Sequence, residues 1–285
     1  MQAFAYARPE SEAEVLELLA AHGREARLLA GGTDLMVGLR SGKLRPRVVI
    51  DIKRAGDLRP SIEEEDGRVA ISATTVLTDV IENAAVRRNF PALVEAASTV
   101  GSVQIRNRAT LVGNICNASP AADTAPALLV YQAALVLATA GGTRRLLLDD
   151  FFVGPGQTVL RPGELVKSIE VPKPGPPFGA AFGRFTRRRG VDLAGVSVCC
   201  SVDSSGVTRF GFGAVGPRPL LVADRTGVLA DPAADQGGRE RALEQLVGQA
   251  SPISDVRASR EYRRAMLPVL SRRVLAAAID RRSWR

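Results

Sequence analysis

The sequence predicts an α+β protein: two N-terminal units that mix strands with helices, then a C-terminal unit of three antiparallel strands with helices packed on them. Three observations predict it. Short apolar strand runs alternate with capped helical stretches as far as Val171. Pro172, Pro174, Pro176 and Pro177 then mark a linker that continues neither strand nor helix. Beyond them Phe178–Arg187, Leu193–Val202 and Thr208–Val215 read as strands, with Asp203-Ser204-Ser205-Gly206 as a hairpin turn between the last two. A sheet of this kind buries one face against helices. The expected domains are residues 1–175, with lobes at about 1–55 and 56–175, and residues 178–285.

The first unit opens with a strand at Phe4–Ala7, stopped by Pro9. Ser11-Glu12-Ala13-Glu14 reads as a capping box, in which hydroxyl and carboxylate satisfy the free amides of a helix start. Val15, Leu16, Leu18 and Leu19 supply the helix's apolar face, and Gly23 ends it. His22, the one histidine, falls in the last turn, where a cation is favourable. A strand at Ala26–Ala30 runs into Gly31-Gly32-Thr33-Asp34 and then a short helical stretch from Leu35. Two glycines permit positive φ and close approach of a ligand, and successive amides there suit a phosphate. An ordinary tight turn explains the same residues. No Rossmann hexad or P-loop is present, since no Gly-Lys-Ser/Thr follows. Val48–Ile52 closes the unit as a strand.

In the second unit Val69–Ser72 is strand-like, Thr78 is expected to cap a helix through Asn83, and Pro91–Thr99 reads as a helix. The segment from Gly101 to Asp123 is dense in Asn, Ser, Thr, Arg and Gly and reads as a long loop. Such loops inside compact domains tend to be functional, although a purely structural loop is the competing account. Gly113 permits close approach, Thr110, Asn114 and Ser119 supply donors and acceptors, and Asp123 can accept from ribose hydroxyls. In the last unit Gly227–Gly238 is expected to be a loop, Arg239–Leu246 a helix, and Val256–Ile279 a helix that Pro268 kinks or interrupts.

Composition narrows the function classes. With 46% hydrophobic and 24% charged residues, the chain is not disordered or fibrous. No apolar run approaches the roughly 18 residues of a membrane helix, and no secretory signal is visible, so no membrane span is expected. One histidine excludes a Ser–His–Asp or Cys–His hydrolase and a histidine-rich metal site. Cys116, Cys199 and Cys200 are too few for a disulfide framework or a four-thiolate cluster, which points to a reducing cytoplasm. Cys116 is expected to act as a small buried apolar residue. The net charge of +8 suits acidic partners. Its arginines, at Arg184–Arg189 and from Arg257 to Arg285, have few aromatics among them, so a base-stacking surface is poorly supported and no nucleic-acid partner is expected. Arg184–Arg189 reads as a solvated loop, with an acidic subunit or nicotinamide phosphates as the alternative.

At the two Gly/Asn segments the chain resembles the FAD-binding (medium) subunits of the molybdenum hydroxylases, the family of xanthine dehydrogenase and aerobic carbon monoxide dehydrogenase. Ala30-Gly31-Gly32-Thr33-Asp34-Leu35 is similar to the family's first FAD loop. Gln104-Ile105-Arg106-Asn107-Arg108-Ala109-Thr110, Gly113-Asn114 and Ser119-Pro120-Ala121-Ala122-Asp123 are similar to its second. Asp192-Leu193-Ala194 and Ser251-Pro252-Ile253-Ser254-Asp255-Val256-Arg257 resemble recurrent C-terminal segments, so the similarity spans nearly the whole chain. One departure is Val112, where the family commonly has glycine.

The resemblance implies a two-lobed FAD-binding domain of the PCMH (vanillyl-alcohol-oxidase-like) type and a cofactor site with no catalytic residue. Amides of Gly31, Gly32, Thr33 and Asp34 would hold the FAD pyrophosphate, with Leu28, Leu29, Ala30 and Leu35 around them. Thr110, Leu111, Val112, Gly113 and Asn114 would complete the cradle, Asp123 would contact FAD, and Val166 would make an apolar contact near the flavin. It further implies an iron–sulfur small subunit and a molybdopterin large subunit as partners, with NAD⁺, quinone or oxygen as electron acceptor. A stand-alone flavin oxidoreductase is the alternative, and a basic nucleic-acid-binding or scaffold protein a further one.

Overall fold

The structure is a computed structural model that describes residues 2–65 and 67–283. Arg285, the end of the basic run, lies outside the described residues. The first lobe is β1 (Ala5–Ala7), α1 (Glu12–His22), β2 (Ala26–Leu29), α2 (Leu35–Arg40) and β3 (Val48–Asp51). Its three strands form a parallel sheet in the order β1-β3-β2. Helix α1 starts where its cap chemistry dictates. Ser11 Oγ accepts from the Glu14 amide at 3.2 Å, and the Glu14 carboxylate accepts from the Glu10 amide at 2.8 Å. The return arm therefore reaches one residue further back than a strict capping box.

The second lobe begins with β4 (Ile62–Glu65) and β5 (Arg68–Ser72). A run of short helices follows: α3 (Leu77–Glu82), α4 (Ala84–Asn89), α5 (Pro91–Ser98), α6 (Val103–Arg106), α7 (Leu111–Cys116) and α8 (Thr124–Val130). It closes with β6 (Ala134–Thr139), β7 (Gly142–Leu147), β8 (Phe152–Gly154), β9 (Gln157–Thr158) and β10 (Leu165–Pro172). Strands β4-β5-β10-β6-β7 form an antiparallel sheet, and β8 and β9 pair as a separate hairpin. Two expectations are corrected here. The Gly101–Asp123 segment is not an irregular loop, because α6 and α7 satisfy much of its backbone, each capped by a hydroxyl (Ser102, Thr110). Thr78 does not cap α3; Val76 precedes it without a side-chain bond, and the Thr78 hydroxyl donates to Asn107 Oδ1 at 2.6 Å.

The last unit is β11 (Gly179–Phe185), β12 (Val196–Val202), β13 (Thr208–Gly213), β14 (Leu220–Asp224), α9 (Gln236–Val247) and α10 (Arg260–Ser283). Its antiparallel sheet has four strands rather than three. The strand missed from the sequence, β14, is short and follows a Gly-Pro-Arg-Pro stretch that reads as turn. The proline linker also starts later than expected, since β10 runs through Pro172, paired with Arg68. Helix α10 passes Pro268 without interruption.

The sheet's position decides its composition. Every residue of β12 is buried. Val198 and Cys200 face the core under α10, while Cys199 joins the core shared by both N-terminal lobes. One sheet is thus packed on both faces, and the Val and Cys residues of β12 are interrupted only by Ser197 and Ser201, both fully buried. The adjacent thiols of Cys199 and Cys200 point to opposite sides and are free, as is Cys116, whose thiol burial pushes up to about 12.

Candidate cofactor site

The Gly31–Leu35 turn and the α6–α7 connection are far apart in sequence but meet backbone to backbone. A Cβ built on Gly31 would lie 2.1 Å from the Arg108 carbonyl oxygen and 2.9 Å from Ala109 Cα. No side chain fits between them. Gly32 is glycine for a different reason: its φ of +74° belongs to the left-handed region. The second segment is fixed from the other side, where Leu77 N donates to Ala109 O at 2.8 Å and Leu111 N to Thr75 O at 3.3 Å. The Thr78–Asn107 bond described above ties α3 to the same place.

This junction leaves donors free. Among the described residues, the amides of Gly31, Gly32, Thr33, Asp34 and Leu35 donate to no protein acceptor. Five successive free N–H groups fit an anionic group such as a diphosphate. Leu28, Leu29, Ala30 and Leu35 beside them are half-buried, and Asp34 is exposed. Across the junction the Thr110 hydroxyl accepts from the Gly113 amide at 2.9 Å, and Asn114 Oδ1 accepts from the Thr124 hydroxyl at 2.7 Å. Leu111 and Val112 point into the core, at 0% and 4% exposure. Val112 lies within α7, where the backbone is helical, so the residue type that replaces glycine there is accommodated without strain.

Asp123 sits directly before α8, but its side chain makes no capping bond. Instead Oδ2 accepts from Arg184 of β11 at 2.6 Å, while Oδ1 is buried without a hydrogen-bond partner. Burial raises the carboxyl to about 6, with the Arg184 charge and Thr99 opposing it. An orphaned buried acceptor of this kind fits a ligand hydroxyl. Val166 is 2% exposed at a bulge in β10, the strand on which α7 packs. The reading of Arg184–Arg189 as a solvated loop is thereby corrected in part. Arg184 is in an internal ion pair, Arg187 pairs with Asp192 at 2.9 Å, and Arg188 donates to the Val191 carbonyl.

One functional-looking segment owes its order to a residue that sequence reasoning passed over. Asp255 Oδ1 accepts from the amides of Arg257 and Ala258 and from buried Arg263 at 2.7 Å, and Arg263 also donates to the Ala214 carbonyl. The sequence places Arg263 in a basic run that reads as a solvated face, and nothing local distinguishes it from its exposed neighbours.

Two surface depressions lie elsewhere, one lined by Pro60, Ser61, Thr75 and Asp79 among others, the other by the proline linker and the Asp203 turn. Neither includes the glycine junction, so free donors rather than concavity locate the site. Among the described residues, no group of three or more His, Cys, Asp or Glu is placed to hold a metal, and no helix is long and apolar enough to cross a membrane.

A two-lobed domain with a cradle of free amides, followed by a sheet-and-helix domain, defines a protein built to hold an anionic, diphosphate-type ligand. Residues 2–174 match the family described as the FAD binding domain in molybdopterin dehydrogenase, and residues 180–278 match the carbon monoxide dehydrogenase flavoprotein C-terminal domain. The xanthine dehydrogenase FAD-binding subunit of Escherichia coli O157:H7 is 31% identical over 279 residues, covering 96% of this chain and 95% of that protein. The carbon monoxide dehydrogenase medium chain of Hydrogenophaga pseudoflava is 32% identical over 279 residues, covering 96% of both. A solved structure of the Hydrogenophaga pseudoflava carbon monoxide dehydrogenase, in a form lacking the Mo-pyranopterin moiety, superimposes with a TM-score of 0.91 at 31% identity over 98% of each chain. The chain belongs to the FAD-binding medium-subunit family of the xanthine and carbon monoxide dehydrogenases, and it is an FAD-binding oxidoreductase subunit.

Proposed function

We propose that the chain is the electron-relay subunit of a molybdenum hydroxylase complex. It takes electrons from iron–sulfur clusters of a small subunit, which a molybdopterin large subunit supplies, and passes them to NAD⁺, a quinone or oxygen. Bound FAD supplies storage of two electrons between one-electron donors and the acceptor. The chain's own residues bind and orient. Amides of Gly31, Gly32, Thr33 and Asp34 hold the pyrophosphate, Thr110 and Asn114 stiffen the opposite wall, and Asp123 offers an acceptor. Leu111, Val112 and Val166 support the site from the core. No residue moves a proton as a general acid or base, in keeping with a site that has no histidine. The two domains are residues 1–175 and 178–285, the first with lobes at about 1–55 and 56–175, and the complex works in the cytoplasm, where this chain's three thiols stay reduced.

The observation that carries this reading is the run of five unpaired amides at a backbone-to-backbone junction. The family match supports it. The test is an absorption spectrum of the purified chain, with a flavin band and one FAD per chain expected. Colourless protein that added FAD cannot reconstitute would overturn it. Turnover of a hydroxylase substrate by the isolated chain would favour a stand-alone flavin enzyme instead.

A further inference from the structure

We propose that Arg184 is a positioning residue for the flavin site: from β11 it grips Oδ2 of Asp123 and so leaves Oδ1 as the acceptor for a hydroxyl of the cofactor. The proposal rests on the FAD reading above and adds a residue from the C-terminal sheet, 61 positions from its partner.

The geometry is that of a built pair. The guanidinium and the carboxylate lie 2.6 Å apart, with side chains 14% and 5% exposed. Asp123 has no capping duty on α8, and the polar groups beside it are Arg184 and Thr99, whose own hydroxyl donates to the Ala96 carbonyl at 2.7 Å. A buried carboxylate with one oxygen paired and the other empty is costly unless a ligand completes it. Its location favours that ligand being the cofactor, because the next residue, Thr124, donates to Asn114 of the second loop. Arg184 also donates to the Asp192 carbonyl at 3.3 Å. One guanidinium therefore joins the cofactor site to the 186–193 segment, where Val191 and Leu193 are 52% and 46% exposed. Without Arg184, burial acts on Asp123 unopposed by a cation, and a neutral carboxyl is a weaker acceptor.

The test is FAD titration into the flavin-stripped full chain, followed by flavin fluorescence from about pH 5 to about pH 8. Wild-type affinity is expected to rise with pH as Asp123 ionises and then level off. In Arg184→Gln the rise should move up by about one pH unit, with binding about tenfold weaker near pH 5 and about twofold weaker at neutrality. Arg184→Lys should restore most of both, and it also serves if the glutamine variant does not fold. Asp123→Asn should remove the pH step, and adding Arg184→Gln to it should weaken FAD less than about twofold further. Wild-type affinity and pH profile in Arg184→Gln, or additive losses in the double variant, would overturn the proposal and leave the FAD reading standing. Failure of the wild-type chain to bind FAD would sink both.

Discussion

Replacing Gly31 by alanine tests the junction directly. The new methyl would sit 2.1 Å from the Arg108 carbonyl oxygen, 2.8 Å from its carbon and 2.9 Å from Ala109 Cα. Ordinary contact needs about 3.5 Å, so the two segments must part by about 1.4 Å. The obstacle is backbone on both sides, held by the Leu77–Ala109 and Leu111–Thr75 hydrogen bonds, and it has no rotamer to swing away. Overpacking of this kind costs about 1–3 kcal/mol, and if about 2–3 kcal/mol of it falls on the cradle, FAD binds about 30- to 150-fold more weakly. Gly32→Ala should be milder. Its methyl clashes with the end of the flexible Leu29 side chain at 2.7 Å and makes an ordinary contact with Met36 at 3.8 Å, and the φ of +74° costs about 1–2 kcal/mol. The assay is FAD per chain after desalting, with affinity by titration and a thermal midpoint for each variant. Stoichiometric FAD and a wild-type midpoint in Gly31→Ala would refute the claim that the two loops touch through backbone.

Three further outcomes are expected. Arg263→Met leaves the buried Ala214 carbonyl without its donor, while partly exposed Asp255 keeps Arg257, and should cost about 1–3 kcal/mol, read as a lowered urea midpoint and faster proteolysis within residues 251–258. Glu95→Ala removes the acceptor for Arg281 at 2.5 Å and for the Phe182 amide at 3.0 Å, tying α5 to α10 and β11; with both charges partly exposed, a loss of about 1–2 kcal/mol in chemical denaturation is expected. Asp123, raised to about 6 in the folded chain from 3.8, should make the flavin-free protein less stable as pH rises through that window, by up to about 3 kcal/mol. Its contribution is fully present below the unfolded value and lost above the folded one. Denaturant midpoints from about pH 4 to about pH 7 should therefore fall for wild type relative to Asp123→Asn; parallel curves would contradict the raised carboxyl.

Much of the local structure was legible. Ser11 and Glu14 announced α1, the Asp203 turn announced the β12–β13 hairpin, and the order of the two Gly/Asn segments pointed to the family before any packing was known. Legibility failed where a residue's meaning depends on a distant neighbour. The stretch around Thr110 looked irregular because short helices capped by single hydroxyls leave little periodicity. Strand β14 was hidden by flanking prolines. Arg184 looked like one of several solvated arginines, and only burial beside Asp123 separates it from exposed Arg189.

The amino-acid order alone determined what short-range chemistry can specify: caps, turns, alternating strands and a glycine pair that permits a left-handed backbone. The tertiary structure decided which of these meet. It set Gly31 against Arg108, folded β12 between two cores, and brought Arg184 to Asp123. Contacts within a few residues follow from the polypeptide's own geometry, whereas a close approach across tens of residues depends on how all the intervening apolar surface is buried at once.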